Sequence, residues 1–218
     1  SISNSPVWIN RFAEFSVKGM LGAGLEMEYG SILYPGGKDE AGVLNIGSDM
    51  KLKSGAVLEF ELNSNTGLSD KINITGNLDI GTVIFQVKKN AELTPGNYIL
   101  MQAASIMGNA ASVTIEGLDD QIFSLSFSEE NVVLSVEKMR SAASVLWKGD
   151  KPGAVWELGS VRNFTLNDAD AYFALGDEVI FDDSAVSKIV NKSGNLPAGN
   201  ITVNSTNNYI IQGSGVIK

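Results

Sequence analysis

Two stretches of this 218-residue chain restate one pattern. In MKLKSGAVLEFELN, Met50 and Leu52 alternate with lysines, Gly55 follows, and Val57 to Leu62 alternates apolar residues with Glu59 and Glu61. In DKINITGNLDIGTVIFQVKKN, Ile72/Ile74 and Leu78/Ile80 lead to Gly81 and then to an alternating run from Thr82 to Val87. Successive side chains of a strand point to opposite faces, so period-two alternation marks strands with one face buried and one in water. The shared phrase is an apolar-x-apolar strand, a glycine and a longer alternating strand. It returns after about 25 residues, a period typical of stacked repeats.

Further alternating runs follow: NYILMQA after Pro95-Gly96, then SVTIEG, QIFSLSF and NVVLSV. Pro-Gly is a type II turn signal, because proline presets φ and glycine takes the positive value, and YPGG at residues 34–37 repeats it. The one candidate helix, AASIMGNAA, is interrupted by Gly108, so no helix is expected. A short echo, FSVKG (15–19) and YIIQG (209–213), places a glycine after an aromatic and a β-branched residue near both ends. The last fifteen residues, NSTNNYIIQGSGVIK, still read as strand, which predicts a coil whose partners lie beyond Lys218 and a chain that is a piece of something longer.

Composition narrows the chemistry. Glycine reaches 23 against 5 prolines, and hydrophobic residues make up 44%, enough for a continuous core of many short strands. A formal net charge of −9 repels phosphate backbones and offers no polybasic patch for anionic lipid, so neither nucleic acid nor a membrane surface is an expected partner. Histidine and cysteine are both absent. Their absence excludes Ser-His and Cys-His mechanisms, thiolate or imidazole metal sites and disulfides. No apolar stretch is long enough for a spanning helix, and SISNSPVWIN lacks the basic and apolar regions of a signal peptide.

A composition shift near EKMRSAASVLWKGD suggests two segments, 1–140 and 141–218, the second rich in aromatics (Trp147, Trp156, Phe164, Tyr172, Phe173, Phe181) and continuous with the first. Within the second, Trp147-x-Gly149, Trp156, Gly176-Asp177-x-Val179-x-Phe181-Asp182, Ile201-Thr202-Val203, Tyr209 and Gly213-x-Gly215-x-Ile217 form a series. This series resembles the autotransporter-associated β-strand repeat of bacterial passenger domains. Asn163-Phe164 stands where that family has Asn-Trp. GSILYPGG, GVLNIGSDMKLKSGAVLEFEL, SDKINITGNLDI and LTPGNYILMQA resemble the coils that accompany such repeats. The resemblance implies an all-β, right-handed parallel β-helix (a single-stranded β-solenoid). Periodicity alone does not choose that fold over a sandwich or a barrel.

Candidate chemistry is sparse. The carboxylate pairs Asp119-Asp120, Glu129-Glu130 and Asp182-Asp183 are adjacent, and neighbours on a strand face opposite ways, so they read as turn residues. Asp168-x-Asp170 could begin a calcium loop, but the rest of such a loop is missing. Polysaccharide lyases of β-helical fold need a basic residue beside an acidic cluster, and none of Arg11, Arg140 and Arg162 sits in one. Trp8, Trp147 and Trp156 could stack on sugars or pack internally. The glycines of GAGLEMEYG lack phosphate-loop spacing. Asn73, Asn163, Asn191, Asn200 and Asn204 each begin an Asn-x-Ser/Thr triplet, explained by Asn at turns and Thr in strands.

The expectation is therefore no catalytic residue, no metal and no cofactor. The resemblance implies a stiff structural or adhesive segment of an exported protein, extracellular or on the outer-membrane surface of a bacterium. Its expected partners are a glycan or host surface and the rest of its own longer chain. The alternative is an accessory glycan-binding or spacer module of a secreted polysaccharide-degrading enzyme.

Overall fold

The structure, a computed structural model, describes residues 5–63, 68–89, 91–118 and 121–218. Among them the regular structure is β-strand, with two single turns of 3-10 helix at Ala110–Ser112 and Pro152–Ala154 and no α-helix. The chain divides into two compact units, Ser1–Leu118 with Phe123–Glu137, and Asp119–Ile122 with Lys138–Lys218.

The first unit is laid down three strands at a time. They are β1 (Val7–Ile9), β2 (Glu14–Ser16) and β3 (Gly19–Leu21); β4 (Leu25–Met27), β5 (Ile32–Tyr34) and β6 (Val43–Ile46); β7 (Met50–Leu52), β8 (Val57–Leu62) and β9 (Lys71–Ile74); β10 (Asn77–Ile80), β11 (Val83–Lys89) and β12 (Gly96–Gln102); then β13 (Ser105–Met107), β14 (Val113–Glu116), β15 (Ile122–Phe127) and β16 (Asn131–Glu137). Every strand from β4 to β11 pairs in parallel with the strand three before it and the strand three after it. Three sheets result, with spatial orders β1-β4-β7-β10-β13, β14-β11-β8-β5-β2 and β15-β16-β12-β9-β6-β3.

Because the register is held from one step to the next, inward residues stack on their equivalents. Ile9, Met27, Leu52 and Ile80 form one such row, and Phe15, Leu33, Leu58, Phe85 and Ile115 another. Each fully buried Leu, Ile or Phe contributes about 1.5–3 kcal/mol, and this stacking is what the period-two alternation encodes.

The glycines of the repeated phrase do not stack on each other. Val57 pairs with Ile84, so Gly55 meets Thr82, whose carbonyl accepts its N–H at 2.7 Å. Gly55 has φ +83°, and a Cβ there would lie 2.2 Å from the ring of Tyr29.

Not every neighbour is like-oriented. β12 pairs antiparallel with β16, with a bulge between Ile99 and Met101. A tight turn from Ser128 to Asn131 makes this possible, the Ser128 hydroxyl accepting the Asn131 N–H at 2.9 Å.

The second unit holds β17 (Ser144–Trp147), β18 (Val155–Trp156), β19 (Phe164–Leu166), β20 (Ala169–Ala171), β21 (Glu178–Asp182), β22 (Ile189–Lys192), β23 (Asn195–Leu196), β24 (Asn200–Asn204), β25 (Ile210–Gln212) and β26 (Val216–Ile217). Parallel ladders run β17-β21-β24, β18-β22-β25 and β23-β26. A hairpin, β19-β20, adds antiparallel to β17. Its two-residue loop, Asn167-Asp168, has φ +52° and +64°, the left-handed pair that a type I′ turn requires and that Asn and Asp tolerate.

Candidate functional site

The motif residues of the second unit build its interior. Trp147 and Trp156 are fully buried. Trp147 meets Phe164 edge-to-face at 5.1 Å between centroids, Trp156 meets Phe173 at 5.4 Å, and Phe181 joins both indoles to Tyr209. The spacing Trp147-x-Gly149 has a steric cause, since a Cβ on Gly149 would lie 2.8 Å from the indole nitrogen. That nitrogen donates to the Ser187 carbonyl at 2.8 Å. Gly213 and Gly215 press against the backbone of Lys192 and Ser193 in the preceding strand, where a Cβ would come within 2.4 and 2.7 Å.

Two buried polar side chains hold the corners. Asn163 has no exposed surface, accepts the Lys151 N–H at 2.8 Å and donates to the Val155 carbonyl at 2.9 Å. Asp177, also without exposed surface, accepts both guanidinium arms of Arg140 at 2.7 and 2.5 Å. It also accepts the N–H groups of Ala143 at 2.9 Å and Ala174 at 2.7 Å. Arg140 in turn donates to the Tyr172 carbonyl at 2.7 Å and lies 5.3 Å from that ring's centroid. Sequence reasoning missed this pair, whose members stand 37 residues apart. Four donors on one carboxylate leave it little capacity to bind anything else.

The other candidates separate. Asp119-Asp120 lies outside the described residues. Glu129 and Glu130 are exposed at the β15–β16 turn. Asp182 accepts from its neighbour Ser184, while Asp183 accepts from Ser205, Thr206 and Asn207 of the next turn. Those donors hold the Asp183 carboxyl well below the usual range, the Ser205 hydroxyl contributing most.

Asp170 is bonded at 2.9 Å by both Lys151 and Lys148, which lower its pKa to about 2, and Asp150 pairs with the same lysines. Both ammonium groups thus lie on the Asp170 carboxylate that the Asp168-x-Asp170 reading would have given to calcium. Arg162 is exposed and reaches the Asp170 carbonyl at 3.3 Å, and Arg11 lies over the Tyr29 ring. Among the described residues no group of three metal-ligating side chains converges.

Of the three tryptophans, Trp8 is 60% exposed and remains available for stacking. Asn163 is closed to modification by its burial. Asn73 and Asn191 are half-buried and bonded to Asn45 and the Gly153 carbonyl, whereas Asn200 and Asn204 are exposed.

The first unit carries an acidic corner that was not foreseen. Asp70, 1% exposed, accepts the N–H groups of Gly42 at 2.7 Å and Glu61 at 2.8 Å. Burial raises its pKa to about 6, against the pull of those two bonds. Beside it Glu59 pairs with Lys88 at 2.7 Å, and Lys88 reaches Asp39 at 3.3 Å. A cavity of about 510 Å³ opens here between Asp39, Glu40, Glu61 and Lys88. The signal was Asp70 directly after the polar sequence SNTGLS and before an alternating strand, a place where turn residue and clamp look alike in sequence.

No family model matches the chain, and no curated protein matches it. Among the described residues no helix is long and apolar enough to cross a membrane.

Proposed function

We propose that the chain is a right-handed parallel β-helix serving as a structural or adhesive, non-catalytic segment of an exported bacterial cell-surface protein of the autotransporter-associated repeat type. The observation that carries this reading is the unbroken pairing of strand n with strand n+3 from β1 to β14. A chain that returns to the same sheet every third strand, always in the same direction, winds about one axis, and parallel crossovers are right-handed in about 98% of cases. The motif residues support it from the side of chemistry. The Trp, Gly, Asn and Asp of the series are engaged in packing and corner bonds rather than turned toward a substrate.

An antibody raised against the chain tests the surface assignment. It is expected to label intact cells of the source bacterium, and labelling that requires permeabilisation refutes the reading. The accessory glycan-binding module remains as a second reading because of Trp8, exposed at the edge strand β1, with Phe12 and Tyr29 also exposed. Glycan binding that is lost in Trp8→Ala favours it.

A further inference from the structure

The sheet β15-β16-β12-β9-β6-β3 carries on its outer face a row that neither the core nor the motif explains. Register places Met20, Asn45, Asn73, Gln102 and Asn131 opposite one another on five successive strands. Four consecutive members are amides, about 4.8 Å apart by strand spacing. Between Asn45 and Asn73 the amides pair, Nδ2 of Asn73 donating to Oδ1 of Asn45 at 2.9 Å. Beyond that point the pairing stops. Oδ1 of Asn73 and Oδ1 of Asn131 are enclosed without a donor among the described residues.

Gln102 stands between them, exposed, with its Oε1 accepting from Lys71 at 3.1 Å. Turning Asn73 over would take its NH2 away from Oδ1 of Asn45, the one amide pairing in the row. Met20, Asn45, Asn73 and Gln102 of the row line an open depression of about 460 Å³, whose walls also include Thr75 and Glu130.

We infer that this row is a binding site for a neutral oligosaccharide chain. A sugar hydroxyl is donor and acceptor at once. It can take a hydrogen bond from Nε2 of Gln102 and give one to Oδ1 of Asn73, which those two amides do not do for each other. Gln102 is exposed and held by one bond, so it turns on the fast timescale of surface rotamers to admit the ligand. Met20, 58% exposed, supplies an apolar wall for the C–H face of a ring.

The charged groups beside the row, Lys71 and Glu130, offset each other, and the chain's net charge of −9 disfavours uronates and sulfated glycans. An added peptide strand does not fit, because β6, β9 and β12 are paired on both edges. The site lies on one sheet of the first unit and stands or falls independently of the cell-surface reading.

The test is a titration of the 15N-labelled chain with cellohexaose, laminarihexaose and mannohexaose, and with hexagalacturonate as the charged comparator. At least one neutral hexasaccharide is expected to bind with a Kd below about 1 mM and to shift the side-chain NH2 signals of Asn73 and Gln102. Gln102→Ala, at an exposed position, is expected to keep the melting temperature and weaken binding at least about tenfold. Trp8→Ala is expected to leave it unchanged.

Absence of any shift with all three neutral sugars at about 10 mM overturns the inference. So does equal binding of the uronate. Binding that survives Gln102→Ala but falls in Trp8→Ala also overturns it and moves the site to the aromatic edge.

Discussion

Removing the Arg140 side chain asks whether the buried corner of the second unit is held by charge pairing. Asp177 has no exposed surface, whereas the Arg140 side chain keeps 21% of its own. Arg140→Ala therefore strands a carboxylate that cannot reach water and leaves it with two N–H donors, from Ala143 and Ala174. Breaking a buried pair from one side costs about 3–5 kcal/mol, because the remaining charge loses its compensation. The lost bond to the Tyr172 carbonyl and the lost packing on its ring act in the same direction.

Arg140→Lys keeps the charge and loses the bidentate fork, so its cost should fall between wild type and Ala. Tryptophan fluorescence during urea unfolding is the suitable assay. Trp147 and Trp156 are buried in the same unit as Arg140, and Trp8 is already largely in water. A loss below about 1 kcal/mol for Arg140→Ala, the size of an exposed pair, would refute the reasoning.

Asp70 sets a pH dependence. Its folded pKa of about 6 lies above the ordinary 3.8 because burial penalises the charged form, so the folded state binds the proton more tightly than the unfolded chain. Stability from this group therefore rises as pH falls from 7 through 6 toward 4, by at most about 3 kcal/mol. Asp70→Asn is expected to flatten that rise in urea titrations at each pH, and an unchanged slope sinks the assignment. Gly149→Ala is expected to lower stability by at least about 1 kcal/mol, from backbone strain at φ +63° and overlap with the Trp147 indole. Near-neutral melting would count against that steric account. Asn163→Ala leaves the Lys151 N–H and the Val155 carbonyl without their partners and should cost about 2–4 kcal/mol by the same fluorescence assay; a value under 1 is the contrary result.

What the sequence made legible was local. Alternation located the strands because an inward apolar side chain recurs at every second residue, and Met50, Leu52, Leu58, Phe60 and Leu62 are all buried. Register was less legible. Aligning Gly55 with Gly81 gives a step one residue shorter than the Val57–Ile84 pairing, since Gly81 instead packs over Ser54, where a Cβ would lie 2.9 Å from the Ser54 nitrogen. Two adjacent turn positions can each want a glycine for different steric reasons, and sequence comparison cannot tell the reasons apart. The hairpin at Asn167-Asp168 was hidden likewise, because a carboxylate in a turn and a carboxylate in a calcium loop share one alphabet.

Four aspartates, of which only Asp183 looked like a candidate for chemistry, have a common employment that only three-dimensional register reveals. Asp49 accepts the N–H of Asn77 at 2.7 Å, Asp70 that of Gly42, Asp177 that of Ala143 and Asp183 that of Thr206. Each bond joins positions 23 to 34 residues apart, which is one step to the neighbouring strand layer. At a corner the chain leaves the ladder, so its N–H groups lose their strand partners, and where water is partly excluded, as at Gly42 and Ala143, an unpaired N–H costs about 1–3 kcal/mol. A short carboxylate from the adjacent layer restores the bond without a bulky side chain in the bend. Glycines beside these acids make the approach possible. A Cβ on Gly36 would collide with Asp70, and one on Gly76 with Asp49. These four carboxylates are thus bound to backbone, which is why an inventory of carboxylates overstates the chemistry available to a fold built from parallel sheets.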